Sequence, residues 1–191
     1  MKHLMTASAL AFSTLATAAV AAPEPYVLDP SHSQILFSYD HLGYSTTWGM
    51  FSGFEGEIQF DQEDPAASSV TVSFPVSSMF TGWEGRFEHF MGDDFFGGAD
   101  ETVTFTSTSI EVTGEDTALI TGDLTLNGVT QEVVLDARLN QAGDHPMEGR
   151  AWAGFDATTT LLRSDYGLDL FAPFVSDEVE VQVSIEAMRA E

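Results

Sequence analysis

Residues 121–139 read TGDLTLNGVTQEVVLDARL, two alternating apolar runs on either side of the pair Asn127-Gly128. Asn-Gly in that setting is a strong hairpin signal, because a two-residue type I′ turn needs positive φ at both central positions. With those two residues as the loop, Leu126 faces Val129, Leu124 faces Gln131, Gly122 faces Val133, Ile120 faces Leu135 and Ala118 faces Ala137. All of these pairs except the one containing Gln131 bring only apolar or glycine positions together on one face. A one-residue slip would turn every buried side chain outward, so burial and turn chemistry specify the same register. The segment predicts a β-hairpin with one dry and one wet face.

The same period of two recurs along the chain, with turn signals between the runs and no long amphipathic helix. Ile35, Phe37, Tyr39 and His41 form one dry face, and Phe54, Gly56, Ile58 and Phe60 another. Further sets are Val70, Val72, Phe74 and Val76; Val103 and Phe105; Ile110 and Val112; Ala151, Ala153 and Phe155; and Val179, Val181, Val183 and Ile185. These predict an all-β chain of eight or more antiparallel strands, each with one dry face. Closing one sheet into a barrel hides all those faces and leaves no edges, while a two-sheet sandwich satisfies the same pattern. An eight-stranded barrel can fill its interior with side chains or hold one small ligand, and the alternation alone does not choose between them.

The N-terminal stretch MKHLMTASALAFSTLATAAVAAPEP has a basic start at Lys2, an apolar run too short to span a bilayer, and an A-x-A site at Ala19 and Ala21. It reads as a secretory signal peptide over residues 1–21, leaving residues 22–191 as one soluble domain exported to the bacterial periplasm. The chain has no cysteine, which excludes a lipoprotein anchor and disulfides, so the domain must fold on its own core. Lys2 is the only lysine and leaves with the signal. Five arginines then stand against thirty acids, a net charge near −25. Such a field repels nucleic acid and anionic headgroups, and solubility accounts for it without a cation-binding role.

Residues 81–98, TGWEGRFEHFMGDDFFGG, break the strand pattern. Trp83, Phe87, Phe90 and Met91 fall at i, i+4, i+7 and i+8, the spacing of one apolar helical stripe, and flanking glycines keep any helix short. The stripe is either a plug that finishes the core or an aromatic lid over a barrel mouth. The adjacent Asp93 and Asp94 read as part of a turn rather than as a catalytic dyad.

The stretches DPSHSQILFSYDHLGYSTTWGMFSGFEGEIQFD (29–61), TFTSTSIEV (104–112), TGDLTLNGVTQEVVLDARL (121–139) and VSDEVEVQVSIEA (175–187) resemble the YceI-like family. Members of that family are bacterial periplasmic, lipocalin-like proteins that bind polyisoprenoid lipids. The resemblance spans nearly the whole of residues 22–191, in order and with matching spacing. It implies an eight-stranded antiparallel lipocalin-like barrel with a short helical segment at one mouth. Its ligand would be an isoprenoid quinone, a prenyl lipid, or a fatty acid or amide, held in an apolar tunnel. His32, His41 and Gly43 fall on family motif positions, and Arg86 and His89 match the family's Arg-Asp-x-His-Leu pattern. Phe87 stands where Asp is usual and Phe90 where Leu is usual, which makes the mouth more apolar in this chain.

These readings place a ligand against Phe37, Tyr39, Phe54, Phe74, Phe105, Leu124, Leu135 and Phe155 inside the barrel. His41, Trp83, Arg86, Phe87, His89 and Phe90 would surround its mouth. His32, His41, His89 and His145 show no H-x-H or H-E-x-x-H spacing, and neither a G-x-S-x-G nor a Gly-rich phosphate loop is present, so no metal site and no catalytic site is nominated. Of the five arginines, Arg86 and Arg163 are the ones near a prospective mouth, each beside competing acids, and a neutral headgroup is expected. The expected function is binding, storage or transport of an isoprenoid lipid, with transient contact to the inner membrane or a membrane protein for exchange. An enzyme acting on such a lipid and a ligand-free structural barrel are the other function classes, and a homodimer fits what the resemblance suggests.

Overall fold

The computed structural model describes residues 22–191, so the expected signal peptide lies outside the described residues. In chain order the strands are β1 (Glu24–Leu28), β2 (Gln34–His41), β3 (Ser45–Ser52), β4 (Glu55–Phe60), β5 (Ser69–Pro75) and β6 (Met79–Phe80). After the short helix α1 (Glu84–Phe90) come β7 (Thr102–Val112), β8 (Thr117–Leu126), β9 (Val129–Asp144), β10 (Ala151–Leu162) and β11 (Glu178–Arg189). The β8–β9 hairpin has the register that its spacing requires, from Leu126 opposite Val129 to Ala118 opposite Ala137. Asn127 and Gly128 carry φ of 51° and 70° at its turn.

The sheet runs β1-β4-β5-β7-β8-β9-β10-β11 and returns to β1 through Tyr26–Leu28 against Arg189–Ala187, which closes an eight-stranded antiparallel barrel. Closure decides against the sandwich. Three walls of the barrel are broken strands: β2 lies on β11 beyond β1, β3 lies on β2 as β4 lies on β1, and β6 lies on β3 as β5 lies on β4. At the first break Asp29 N donates to Glu186 O at 2.8 Å and Glu186 N donates to Ser33 Oγ at 3.2 Å. These two bonds keep β11 continuously partnered across the gap, so the break satisfies its main-chain groups.

One dry set changes parity along its strand. β7 presents Val103 and Phe105 inward, then Ile110 and Val112, because a bulge between Ser107 and Ser109 inserts a residue and flips the alternation. The fully buried core is drawn from β1, β4, β5, β10, β11, the start of β7 and the residues beside β4 and β5. Tyr26, Leu28, Phe54, Ile58, Phe60, Phe74, Val76, Val103, Ala153 and Ala187 pack together. Phe60 meets Tyr26 edge-on at 5.7 Å and Phe155 at 5.4 Å, spacings typical of aromatic pairs in cores.

Candidate functional site: an apolar tunnel in the barrel

Away from that packed cluster the inward side chains do not close on one another. Phe37, Tyr39, Phe105, Leu124, Leu135 and Phe155 all point into the barrel, yet each is only half-buried. The surface they keep faces a cavity of about 950 Å³, at the upper end of the range for small-molecule sites. Glycines widen it. A Cβ at Gly49 would overlap the Phe37 ring opposite, and one at Gly122 would overlap Phe105, so these rings lie flat over bare main chain. Phe54 and Phe74 line the cavity where it meets the packed core, 5.8 Å apart between ring centres and both buried.

One mouth is built from three segments. The β2–β3 turn and the 163–177 segment meet where His41 bridges Val175 and the Leu42 amide donates to Phe174 O at 3.0 Å. α1 and the turn after it supply the third side. His89 lies 5.0 Å from Phe95 and 6.4 Å from Phe171, and Phe90 lies 6.3 Å from Tyr39. Trp83, 67% exposed, sits just before the helix with its ring over Gly85.

Both arginines at this mouth donate to main-chain carbonyls. Arg163 Nε donates to Ser176 O at 2.8 Å and Nη2 to Val175 O at 2.9 Å, while Nη1 donates to Leu168 O. Arg163 therefore serves as a clamp on the 163–177 segment. Arg86 Nη1 donates to Thr81 O at 2.9 Å. Burial pushes the Tyr39 hydroxyl up, against the nearby Arg86 charge that pulls it down. Tyr166 lines the cavity and is 2% exposed, and its hydroxyl has no hydrogen-bond partner. Burial first, and the Asp165 charge second, raise its pKa to about 12. It stays a neutral hydroxyl at any ordinary pH.

Against known proteins, the sequence profile of the YceI-like domain matches residues 26–187. The chain belongs to the YceI-like family. A UPF0312 protein of Ectopseudomonas mendocina is 38% identical over 190 residues, which is 99% of either chain. The crystal structure of BcnA from Burkholderia cenocepacia superposes with a TM-score of 0.75 at 22% identity, over 83% of this chain and 98% of that one. A polyisoprenoid binding domain from Saccharophagus degradans superposes at 0.66 with 16% identity, over 86% of this chain and 98% of that one. Both likenesses are to the barrel fold.

In this YceI-like barrel every side chain expected at the site lines the cavity except Phe87. α1 turns the face carrying Gly85, Arg86, His89 and Phe90 to the cavity. At 3.6 residues per turn Phe87 lies about a third of a turn from the middle of that face. The stripe read from the sequence is thus divided: Trp83 and Phe90 line the cavity, whereas Met91 packs against the core. Sequence reasoning passed over Tyr166, Phe95, Phe96 and Phe171, all of which line the wall. They sit on turns, where no period of two or 3.6 marks the inward side. Away from the cavity, Asp29, His32 and Glu186 bring one ligand atom each within 4.8 Å of one another. Those groups already have protein partners, His32 Nδ1 with Asp29 Oδ2 at 2.6 Å and Trp152 Nε1 with Glu186 Oε2 at 2.8 Å.

Proposed function

We propose that the barrel binds and carries an uncharged isoprenoid lipid, a quinone or a prenol, in the periplasm. The observation that carries this reading is the cavity itself, a long apolar space walled by aromatic and aliphatic side chains. The polyisoprenoid binding of the structural neighbour from Saccharophagus degradans supports the ligand class. About 25 buried methylene-sized groups at ~0.8 kcal/mol each give a gross term of ~20 kcal/mol, already at the ceiling that real affinities reach. Escape into water would be negligible, so exchange requires a membrane or another apolar acceptor. Carriage rather than turnover is the proposed function, because the wall is mostly apolar and both arginines at the mouth donate to main-chain carbonyls.

A neutral head follows from the charges. A pyrophosphate needs several charge-assisted donors, yet Arg163 is bonded to three carbonyls and Arg86 to one. The net charge near −25 repels an anion before it arrives. A carbonyl or hydroxyl head asks only for single donors, and Tyr166, His89 and the remaining Arg86 nitrogens can provide them. Competition between a quinone and a prenyl pyrophosphate of equal chain length tests this. The quinone binds more tightly at low salt, and the gap narrows at high salt as the global field is screened. Tighter binding of the pyrophosphate at low salt would show that the local cations outweigh the field and would overturn the neutral head.

A further inference from the structure

β5 and β7 pair only from Pro75 opposite Thr102 to Thr71 opposite Thr106. Past that point the Val70 amide donates to Ser107 Oγ at 2.9 Å in place of a main-chain carbonyl. β7 then bulges and continues to Val112 against β8 alone. The β7–β8 hairpin therefore overhangs β5, and its far end and the adjacent 3₁₀ turn Pro65–Ala67, which leads into β5, together form a wedge at the rim of the barrel. The cavity lining runs into this wedge, with Ile110 and Val112 on one side, Pro65 and Val70 on the other, and Glu115 and Asp116 at the rim. Val112 is 46% exposed, and both rim acids are exposed. β7 begins beside the Asn127-Gly128 turn, where Gly128 N donates to Glu101 Oε1 and Asn127 Nδ2 to Tyr166 O, so its far end, at the wedge, is the end of the barrel remote from Tyr166 and the α1 mouth.

We infer that the barrel is a through-tunnel, in which the wedge is a second opening and the tail of a long uncharged chain emerges there while its polar head stays beside α1. The inference rests on the isoprenoid reading above and adds to it a direction and a length rule. Glu115 and Asp116 put two carboxylates at this rim, where Arg138, opposite Thr117, also lines the cavity, whereas Arg86, His89 and Tyr166 stand together at the opposite end. The exposed Val112 extends the apolar wall to the outside. At roughly 30 Å³ for each water-sized heavy atom, the cavity of about 950 Å³ holds on the order of 30 such atoms. A blind pocket of that size rejects longer chains; a tunnel lets them pass.

Equilibrium binding of uncharged all-trans prenols, graded from about 20 to about 50 carbons, decides between the two, since each methylene adds affinity only while it finds apolar wall. Through passage makes affinity climb to about 30 carbons and then stay within about threefold up to about 50. A fall of more than about tenfold between about 30 and about 40 carbons means a blind pocket, and it overturns the second opening while leaving the isoprenoid reading in place. Failure of prenols of every length overturns that reading and the opening with it. The Val112→Trp variant places bulk in the wedge and lowers the ratio of long-chain to short-chain affinity by about tenfold or more. An unchanged ratio would remove the opening from this wedge.

Discussion

Tyr166 buries a hydroxyl that the protein does not satisfy, and such an orphan costs about 1–3 kcal/mol in the unliganded state. If a ligand oxygen supplies the missing partner, the Tyr166→Phe protein should melt at a higher temperature when empty and bind a quinone about tenfold more weakly. Its affinity for a hydrocarbon of equal length, which has no acceptor, should not move. Thermal melts paired with titrations of both ligands make the check; an equal loss for both ligands would mean that the ring, and not the hydroxyl, is what the site uses. At this scale the sequence was legible wherever alternation holds. Phe37, Phe105, Leu124 and Phe155 could be assigned inward from spacing alone, whereas Tyr166 follows β10 in a 3₁₀ turn and carries no such mark. Gly49 and Gly122 were legible only as strand positions. Their role as flat seats for Phe37 and Phe105 depends on which strand lies alongside.

Among the elements, α1 and the break between β1 and β2 each carry a prediction. Trp83 folds back over Gly85 at the mouth and is 67% exposed, so its truncation removes a cover rather than core. The Trp83→Ala protein should exchange ligand with acceptor vesicles several-fold faster while losing much less than the ~3–5 kcal/mol typical of a buried aromatic. Large destabilisation with unchanged exchange would make the segment a plug. The helical stripe was legible in its spacing, but the cavity face was not. That face depends on how a seven-residue helix docks, and Phe87 falls outside it.

The break between β1 and β2 is pinned by Asp29 and His32, and their ionisation gives it a pH window. Burial alone would raise the Asp29 carboxyl, but hydrogen bonds from His32 and Ser31 outweigh it and hold the group below its ordinary 3.8. The hydrogen bond to Asp29, and then the Asp29 charge, raise His32 above 6.5. By linkage the His32 contribution is fully present below pH 6.5 and fades as pH rises through the raised value. The Asp29 contribution is fully present above pH 3.8 and fades as pH falls through the lowered one. The Tm difference between the wild type and His32→Ala should therefore be greatest between pH 3.8 and 6.5. A difference that grows toward alkaline pH would contradict the pairing.

For the whole molecule, an apolar tunnel lies inside a strongly acidic shell. Closure of the barrel follows from eight dry faces that need each other, and the hairpin register was readable to the residue because turn chemistry and burial agree. That the interior stays open was not readable from alternation, since the same faces could have met across the axis. It depends on glycines seating rings flat against the wall and on β7 running past β5. On the proposed reading, the acidic shell favours a neutral, long-chain lipid as the ligand that can both approach and fit. The most direct measurement is mass spectrometry of an organic extract from the protein purified from its native cells without added lipid. The account predicts an uncharged isoprenoid, quinone or prenol, at close to one molecule per chain; an extract without lipid, or one dominated by prenyl phosphates, would contradict it.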